Sequence, residues 1–150
     1  MLKDMNCFSK IGSGSTRSAY ICVNNNNNNV PNIFSDWINK DIVIKEAKTE
    51  RGVRANKVEY KIWSNNKFNF LCPILTILND GEYIIMPKVN QTNITECHVS
   101  KVVNEYRKYC YLSIHSDIKK KNIGLYKGKP ILIDYPFIEQ DYAGFDAIHL

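Results

Sequence analysis

His115-Ser116-Asp117-Ile118-Lys119-Lys120-Lys121-Asn122 runs into Ile123-Gly124-Leu125-Tyr126, then Lys127-Gly128-Lys129-Pro130, then Ile131-Leu132-Ile133-Asp134. Two short apolar runs around a polar segment with Gly and Pro read as a β-hairpin. Antiparallel pairing would set Asn122 and Asp134 side by side at its open end, with Asp117 a few residues away on a loop. An amide oxygen and a carboxylate are hard ligands, and so small a set suits Mg²⁺, which also takes phosphate oxygens. Asp117 is then left to orient or deprotonate a hydroxyl.

The segments upstream carry signals of their own. Ile11-Gly12-Ser13-Gly14-Ser15-Thr16-Arg17-Ser18-Ala19-Tyr20 reads as two strands, within about Cys7 to Val23, around a Gly-Ser turn. Val43-Ile44-Lys45 lies in a strand expected over Asp41 to Ala47. Ala55, Val58, Ile62 and Trp63 recur at helical spacing and predict a helix over about Arg51 to Ser64, with Glu59 bordering its buried face. Leu71 to Leu78 and Glu82 to Met86 read as strands joined by the turn Asn79-Asp80-Gly81, and Ile84-Ile85-Met86 leads into Pro87-Lys88-Val89.

In this order the segments resemble parts of the protein kinase superfamily: the glycine-rich loop, the strand lysine, the helix glutamate, the hinge, the catalytic loop and the metal-binding acid. The resemblance runs from about Ile11 to Asp134. It implies an α+β, protein kinase-like two-lobed fold in a single domain over residues 1–150. The N-lobe, about residues 1–86, would hold a five-stranded antiparallel sheet and one helix. A hinge at 87–89 and a much reduced C-lobe at 90–150 would follow. ATP and Mg²⁺ are the implied cofactors. Ile11, Gly12, Ser13, Gly14, Ser15 and Ala19 would surround the nucleotide. Lys45 would contact its phosphates and pair with Glu59, with Glu50 the fallback; Glu59 could instead pair with Lys57 or Lys61 on its own helix. Met86, Pro87 and Val89 would meet the adenine, and Asn122 and Asp134 the metal. Asp117 would accept the hydrogen bond of the substrate hydroxyl, with Lys119 near the transferred phosphoryl group. His115 would buttress the loop.

Three departures bear on the implied function. Arg17 stands at the place of the third glycine, where it loosens the loop or touches phosphate itself. Tyr135-Pro136 follows Asp134 in place of Phe-Gly, and proline fixes a backbone angle that glycine leaves free. Sixteen residues, 135–150, follow Asp134, so a peptide-binding C-lobe is not expected. Apolar surface left uncovered would suit a partner protein or self-association. The leading expectation is transfer of phosphate from ATP to Ser or Thr hydroxyls of a protein. The alternative is a weakly active or inactive pseudokinase-like module that docks on a partner. Small-molecule kinases fit less well, because their loops more often lack a lysine at the place of Lys119.

Composition narrows the class. The chain has 150 residues, is 44% apolar and carries a net charge of +5. Its basic residues are dispersed, apart from Lys119-Lys120-Lys121, and no nucleic-acid motif accompanies them. No apolar run approaches the roughly 20 residues of a membrane span. Met1-Leu2-Lys3-Asp4 lacks a signal-peptide core, so a cytoplasmic protein is expected. The five cysteines are odd in number and without C-x-x-C spacing, which argues for reduced thiols rather than zinc or a disulfide framework. Asn24 to Asn29 reads as a loop. Asn93-Ile94-Thr95-Glu96 reads as the cap of a helix marked by Val99, Val102, Val103, Tyr106, Tyr109 and Cys110. Heavy use of Asn, Lys and Ile suggests an AT-rich genome, as of a virus or phage.

Overall fold

The structure is a computed structural model that describes residues 1–23, 30–109 and 118–136. The Asn24–Asn29 run, Cys110, His115, Ser116, Asp117 and the expected tail from Glu139 to Leu150 lie outside the described residues. The chain is α+β and divides into two compact units. One comprises Met1–Lys57 and Ile74–Lys88, the other Val58–Pro73 and Val89–Leu150. Among the described residues no helix is long and apolar enough to cross a membrane.

The first unit is built on a five-stranded antiparallel sheet, as expected. Its strands are β1 (Phe8–Ser13), β2 (Arg17–Cys22), β3 (Ile42–Ala47), β4 (Thr76–Leu78) and β5 (Tyr83–Pro87), in the order β1-β2-β3-β5-β4. Residues opposite one another in an antiparallel pair share a face, and alternate residues along a strand change face. The register therefore sorts the side chains. Phe8, Tyr20, Ile42, Ile44, Tyr83 and Ile85 fall on one face and form the apolar core of this unit. Leu2 from the amino-terminal turn and Phe34 cover them, with Trp37 and Ile38 packed alongside. Phe34 is wholly buried and meets Phe8 and Tyr83 edge to face at 5.7 and 5.0 Å. A buried aromatic of this kind contributes about 1.5–3 kcal/mol.

Glu46 belongs to this apolar face and is buried there. Its Oε2 accepts the Leu2 N–H at 3.0 Å, so the amino-terminal turn supplies a donor that a buried carboxylate requires. Burial first, then hydrogen bonding to the Glu82 and Glu46 carboxylates, pushes the Tyr83 phenol well above its usual range. Tyr20 moves the same way, through burial and then the nearby Glu46 charge.

Helix α1 (Glu50–Asn66) follows β3, and the boundary between the units falls within it. Thr49 Oγ accepts the Gly52 N–H at 3.2 Å and caps its start. The helix ends before Lys67, whose φ of 46° is left-handed. Gly52 is needed for packing: a Cβ there would stand 2.2 Å from the Thr16 carbonyl oxygen. The strand expected from Leu71 to Leu78 is confined to β4. Pro73 has no N–H to give a ladder, and the residues before it bond elsewhere, with Cys72 N–H donating to Leu132 O at 2.7 Å. The turn into β5 places Asn79, Asp80 and Gly81 in succession at φ 52°, 53° and 95°. Asn and Asp tolerate the left-handed region better than other side chains, and glycine enters it freely.

The second unit contains helix α2 (Glu96–Tyr106) and the hairpin β6 (Ile123–Tyr126) and β7 (Lys129–Leu132). The α2 cap is Thr95, with His98 in the reciprocal role. Thr95 N–H donates to His98 Nδ1 at 3.0 Å, and His98 N–H donates to Thr95 Oγ1 at 3.3 Å. The hairpin turn is shorter than the sequence suggested. Lys127 and Gly128 alone make it, at φ 51° and 78°, a two-residue turn with both angles positive. Pro130 is thereby inside β7, opposite Leu125. Leu125 exchanges both its backbone bonds with Asn90, at 2.7 and 3.0 Å, so it faces Pro130 at a non-hydrogen-bonded position. The missing proline N–H costs the ladder nothing there.

Candidate functional site

In the first unit, the sheet face opposite the apolar core carries four of the residues singled out from sequence. Gly12 pairs with Ala19, Ala19 with Lys45 and Lys45 with Ile84. Met86 shares this face two positions along from Ile84, opposite Val43. The structure thus brings Gly12, Ala19, Lys45 and Met86 onto one surface. Ser13 falls on the other face, opposite Ser18, and the two hydroxyls lie 3.1 Å apart. Ile11 is the extra residue of a bulge between Lys10 and Gly12 and is exposed. Bulges re-aim a strand and often flank functional loops.

The β1–β2 turn is closed by its own backbone. Gly14 N–H donates to Arg17 O at 2.8 Å, and Thr16 O accepts Lys48 N–H at 2.8 Å. Lys48 Nζ reaches Ser13 Oγ at 3.0 Å and ties the turn down from the outer face. Among the described residues no backbone bond uses the N–H of Ser15 or Thr16, so these are the turn's available donors. Neither Gly12 nor Gly14 is left-handed. A Cβ on Gly12 would come no closer than 4.0 Å to Ala19 Cβ, and one on Gly14 no closer than 3.9 Å to Arg17 O. The fold alone does not demand glycine at either place. A Cβ would make only ordinary contact at either place, and its absence suits close approach of a ligand to the backbone.

Lys45 is half-buried in β3, and Glu59 is wholly buried on the part of α1 that belongs to the second unit. Glu50 is exposed at the first turn of α1. Pro87 ends β5, and Lys88 N–H donates to Asp41 O at 3.0 Å. Among the described residues no backbone hydrogen bond uses the N–H or C=O of Val89. That pair of groups matches the donor and acceptor an adenine edge requires. The Val89 side chain packs on Gly124, where a Cβ would fall 2.3 Å from Val89 Cγ2.

At the open end of the β6–β7 hairpin, Asn122 closes a short 3-10 turn of Lys120–Asn122 and its carbonyl accepts the Ile133 N–H at 2.9 Å. Asn122 therefore faces Ile133, and Asp134 is the next residue rather than the direct partner. Both are half-buried. Asp134 is flanked by two fixed neighbours: Ile133, and Tyr135, which is fully buried and donates its hydroxyl to Cys72 O at 2.8 Å. Tyr135 was legible only as a departure from Phe-Gly. Its buried hydroxyl bond holds the chain beside Asp134. Lys119 is exposed just before the 3-10 turn, while Lys120 pairs with Glu96 at 3.2 Å and Lys121 O accepts from Gln91 Nε2 at 3.2 Å. Asp117 lies outside the described residues.

Among the described residues no three His, Cys, Asp or Glu side chains group as a metal site. An amide and one carboxylate still fit Mg²⁺, which keeps most of its waters and takes phosphate oxygens. The chain matched no protein-family model and no curated protein.

Proposed function

We propose that the protein transfers phosphate from ATP, with Mg²⁺, to Ser or Thr hydroxyls of a protein substrate, on a protein kinase-like fold. The observation that carries this reading is the surface shared by Gly12, Ala19 and Lys45, where neither Gly12 nor the nearby Gly14 is a glycine the fold itself requires. Phosphoryl transfer depends mainly on position and charge. The lack of a Cβ at Gly12 and Gly14, with the N–H groups of Ser15 and Thr16, would admit phosphate oxygens. Lys45 would supply positive charge to them. Val89 would offer adenine its backbone N–H and C=O, with Met86 as an apolar neighbour, whereas Pro87 pairs with Ile42 on the other face of the sheet. Asn122 and Asp134 would hold Mg²⁺, which neutralises phosphate charge when bound. Asp117 accepts the hydrogen bond of the substrate hydroxyl, and Lys119 stands two residues after it.

The second reading, a pseudokinase-like module that docks on a partner protein, draws support from Tyr135 and Pro136. A clamped chain beside the metal acid disfavours the movement that Phe-Gly would allow. One experiment separates the two. The full chain is incubated with labelled ATP, Mg²⁺ and a mixture of protein substrates, beside Asp117→Asn. Label on Ser or Thr from the parent and none from the variant is the expected result. Absence of transfer by the parent, or equal transfer by both, rejects catalysis by this site.

A further inference from the structure

The β1–β2 turn is fastened to the start of α1 at successive places. Lys48 N–H donates to Thr16 O at 2.8 Å. Gly52 lies so close to the same oxygen that a Cβ there would stand 2.2 Å from it. One helical turn on, Asn56 Oδ1 accepts Arg17 Nη1 at 3.1 Å. Gly52 and Asn56, four residues apart, share one side of the helix. Asn56 is wholly buried, and its Nδ2 donates to Gly81 O at 2.8 Å and to Glu82 O at 3.3 Å. Those two carbonyls fix which end of the amide is nitrogen and turn its oxygen to Arg17. Glu82 O also accepts the Ala47 N–H at 2.8 Å, and Asp80 pairs with Lys57 at 3.3 Å, so the turn before β5 is itself held in place. Asn56 thus joins the hairpin turn, the helix and the turn before β5, all within the first unit. Arg17 is half-buried and engaged within the protein, which makes it a strut. Its carbonyl closes the turn by accepting the Gly14 N–H at 2.8 Å. Between Gly14 and Arg17 stand Ser15 and Thr16, whose N–H groups take part in no backbone bond among the described residues.

We propose that Asn56 is a positioning residue of the nucleotide site: acting through Arg17, it holds the β1–β2 turn pre-set to receive phosphate. This rests on the nucleotide reading above and deepens it. A turn ordered before the ligand arrives loses less freedom on binding. Arginine at the place of the third glycine fits that role, because a fastened turn has no use for the conformational freedom that glycine brings.

The test measures dissociation constants of ATP and adenosine, each with Mg²⁺, for the full-length parent, Asn56→Ala, Arg17→Met and the double variant, with urea denaturation of each. Adenosine lacks phosphate, so the ratio of the two constants reports on the turn. Asn56→Ala leaves the arginine's charge in place, yet should weaken ATP by about three- to tenfold, the ordering cost of a segment no longer pre-set, and leave adenosine within about twofold. Arg17→Met should do the same from the less buried end of the link, and it carries the test if Asn56→Ala does not fold. The double variant should lose no more than either single one, because both changes cut one link. A purely structural asparagine would lower the urea midpoint and leave the ratio as in the parent. That result, or losses that multiply in the double variant, overturns the assignment of Asn56 and leaves the nucleotide reading standing. A parent that binds neither ligand overturns both.

Discussion

Alanine at Gly12 or Gly14 should leave the fold intact and damage ligand binding, whereas alanine at Gly124 should do the reverse. The distances set the expectation. A methyl on Gly12 or Gly14 meets nothing nearer than 4.0 or 3.9 Å, an ordinary contact, and neither backbone is left-handed. Exchanging glycine for alanine at a compatible backbone restricts the unfolded chain and stabilises by about 0.4–1 kcal/mol. At Gly124 the methyl would lie 2.3 Å from Val89 Cγ2 and 3.0 Å from Val89 Cβ, and valine's stiff side chain cannot swing clear. Overpacking of this kind costs about 1–3 kcal/mol. In a chain of this size each kcal/mol moves the melting temperature by about 2–4 °C. Urea denaturation of the three variants gives the stability order, and titration with ATP and Mg²⁺ gives affinity. The Gly12 and Gly14 variants should melt at or above the parent while binding ATP about tenfold more weakly, the loss of one charged hydrogen bond. A Gly12 variant as unstable as the Gly124 variant would show that the fold itself needs the glycine. Unchanged ATP affinity in both loop variants would remove the argument that the missing Cβ atoms admit phosphate.

Tyr135→Phe removes the hydroxyl bond to Cys72 O in a buried setting and should cost about 0.5–1.5 kcal/mol, the net worth of such a bond; an unchanged urea midpoint would mean that the hydroxyl does not hold the segment beside Asp134. The raised Tyr83 phenol has a direct consequence at alkaline pH. The folded state keeps a proton that the unfolded state gives up near the ordinary value of about 10, so stability is full below that pH and falls above it. The urea midpoint should drop as pH rises past that value, and Tyr83→Phe should drop less steeply.

How much of this was legible depended on how local each signal is. The strands β2, β3 and β5 were readable because each is a short run with apolar, β-branched or aromatic residues, and the turn residues near them are chemically distinct. Leu71–Leu78 looked like one strand because its apolar run is continuous, yet Pro73 breaks the ladder and Cys72 bonds to Leu132 far along the chain. Lys127 to Pro130 looked like a four-residue turn because proline is a turn residue. Its place in β7 is permitted by the bonds that Leu125 makes with Asn90. The Thr95–His98 cap was displaced from the expected pattern because a histidine nitrogen took the role of a carboxylate. The cover of Phe34, Trp37 and Ile38 over the sheet went unread, since these residues show no periodicity; two aromatics in a loop-like segment were the signal available. Among the site residues, Gly12, Ala19 and Lys45 were found by their order in the chain. The buried Asn56, bonded to Gly81 O, went unread, because a buried asparagine on a helix shows in sequence as a polar residue like any other.

A thermal-shift titration with ATP and Mg²⁺ on the parent, Lys45→Ala and Asp134→Ala tests the nucleotide site most directly. Ligand at a hundred times its dissociation constant stabilises by about 2.7 kcal/mol, so the parent should melt progressively higher as ATP·Mg²⁺ is added. Each variant should shift far less at the same concentrations. A parent whose melting temperature ignores ATP·Mg²⁺, or a Lys45→Ala protein that follows the parent's curve, would contradict the account.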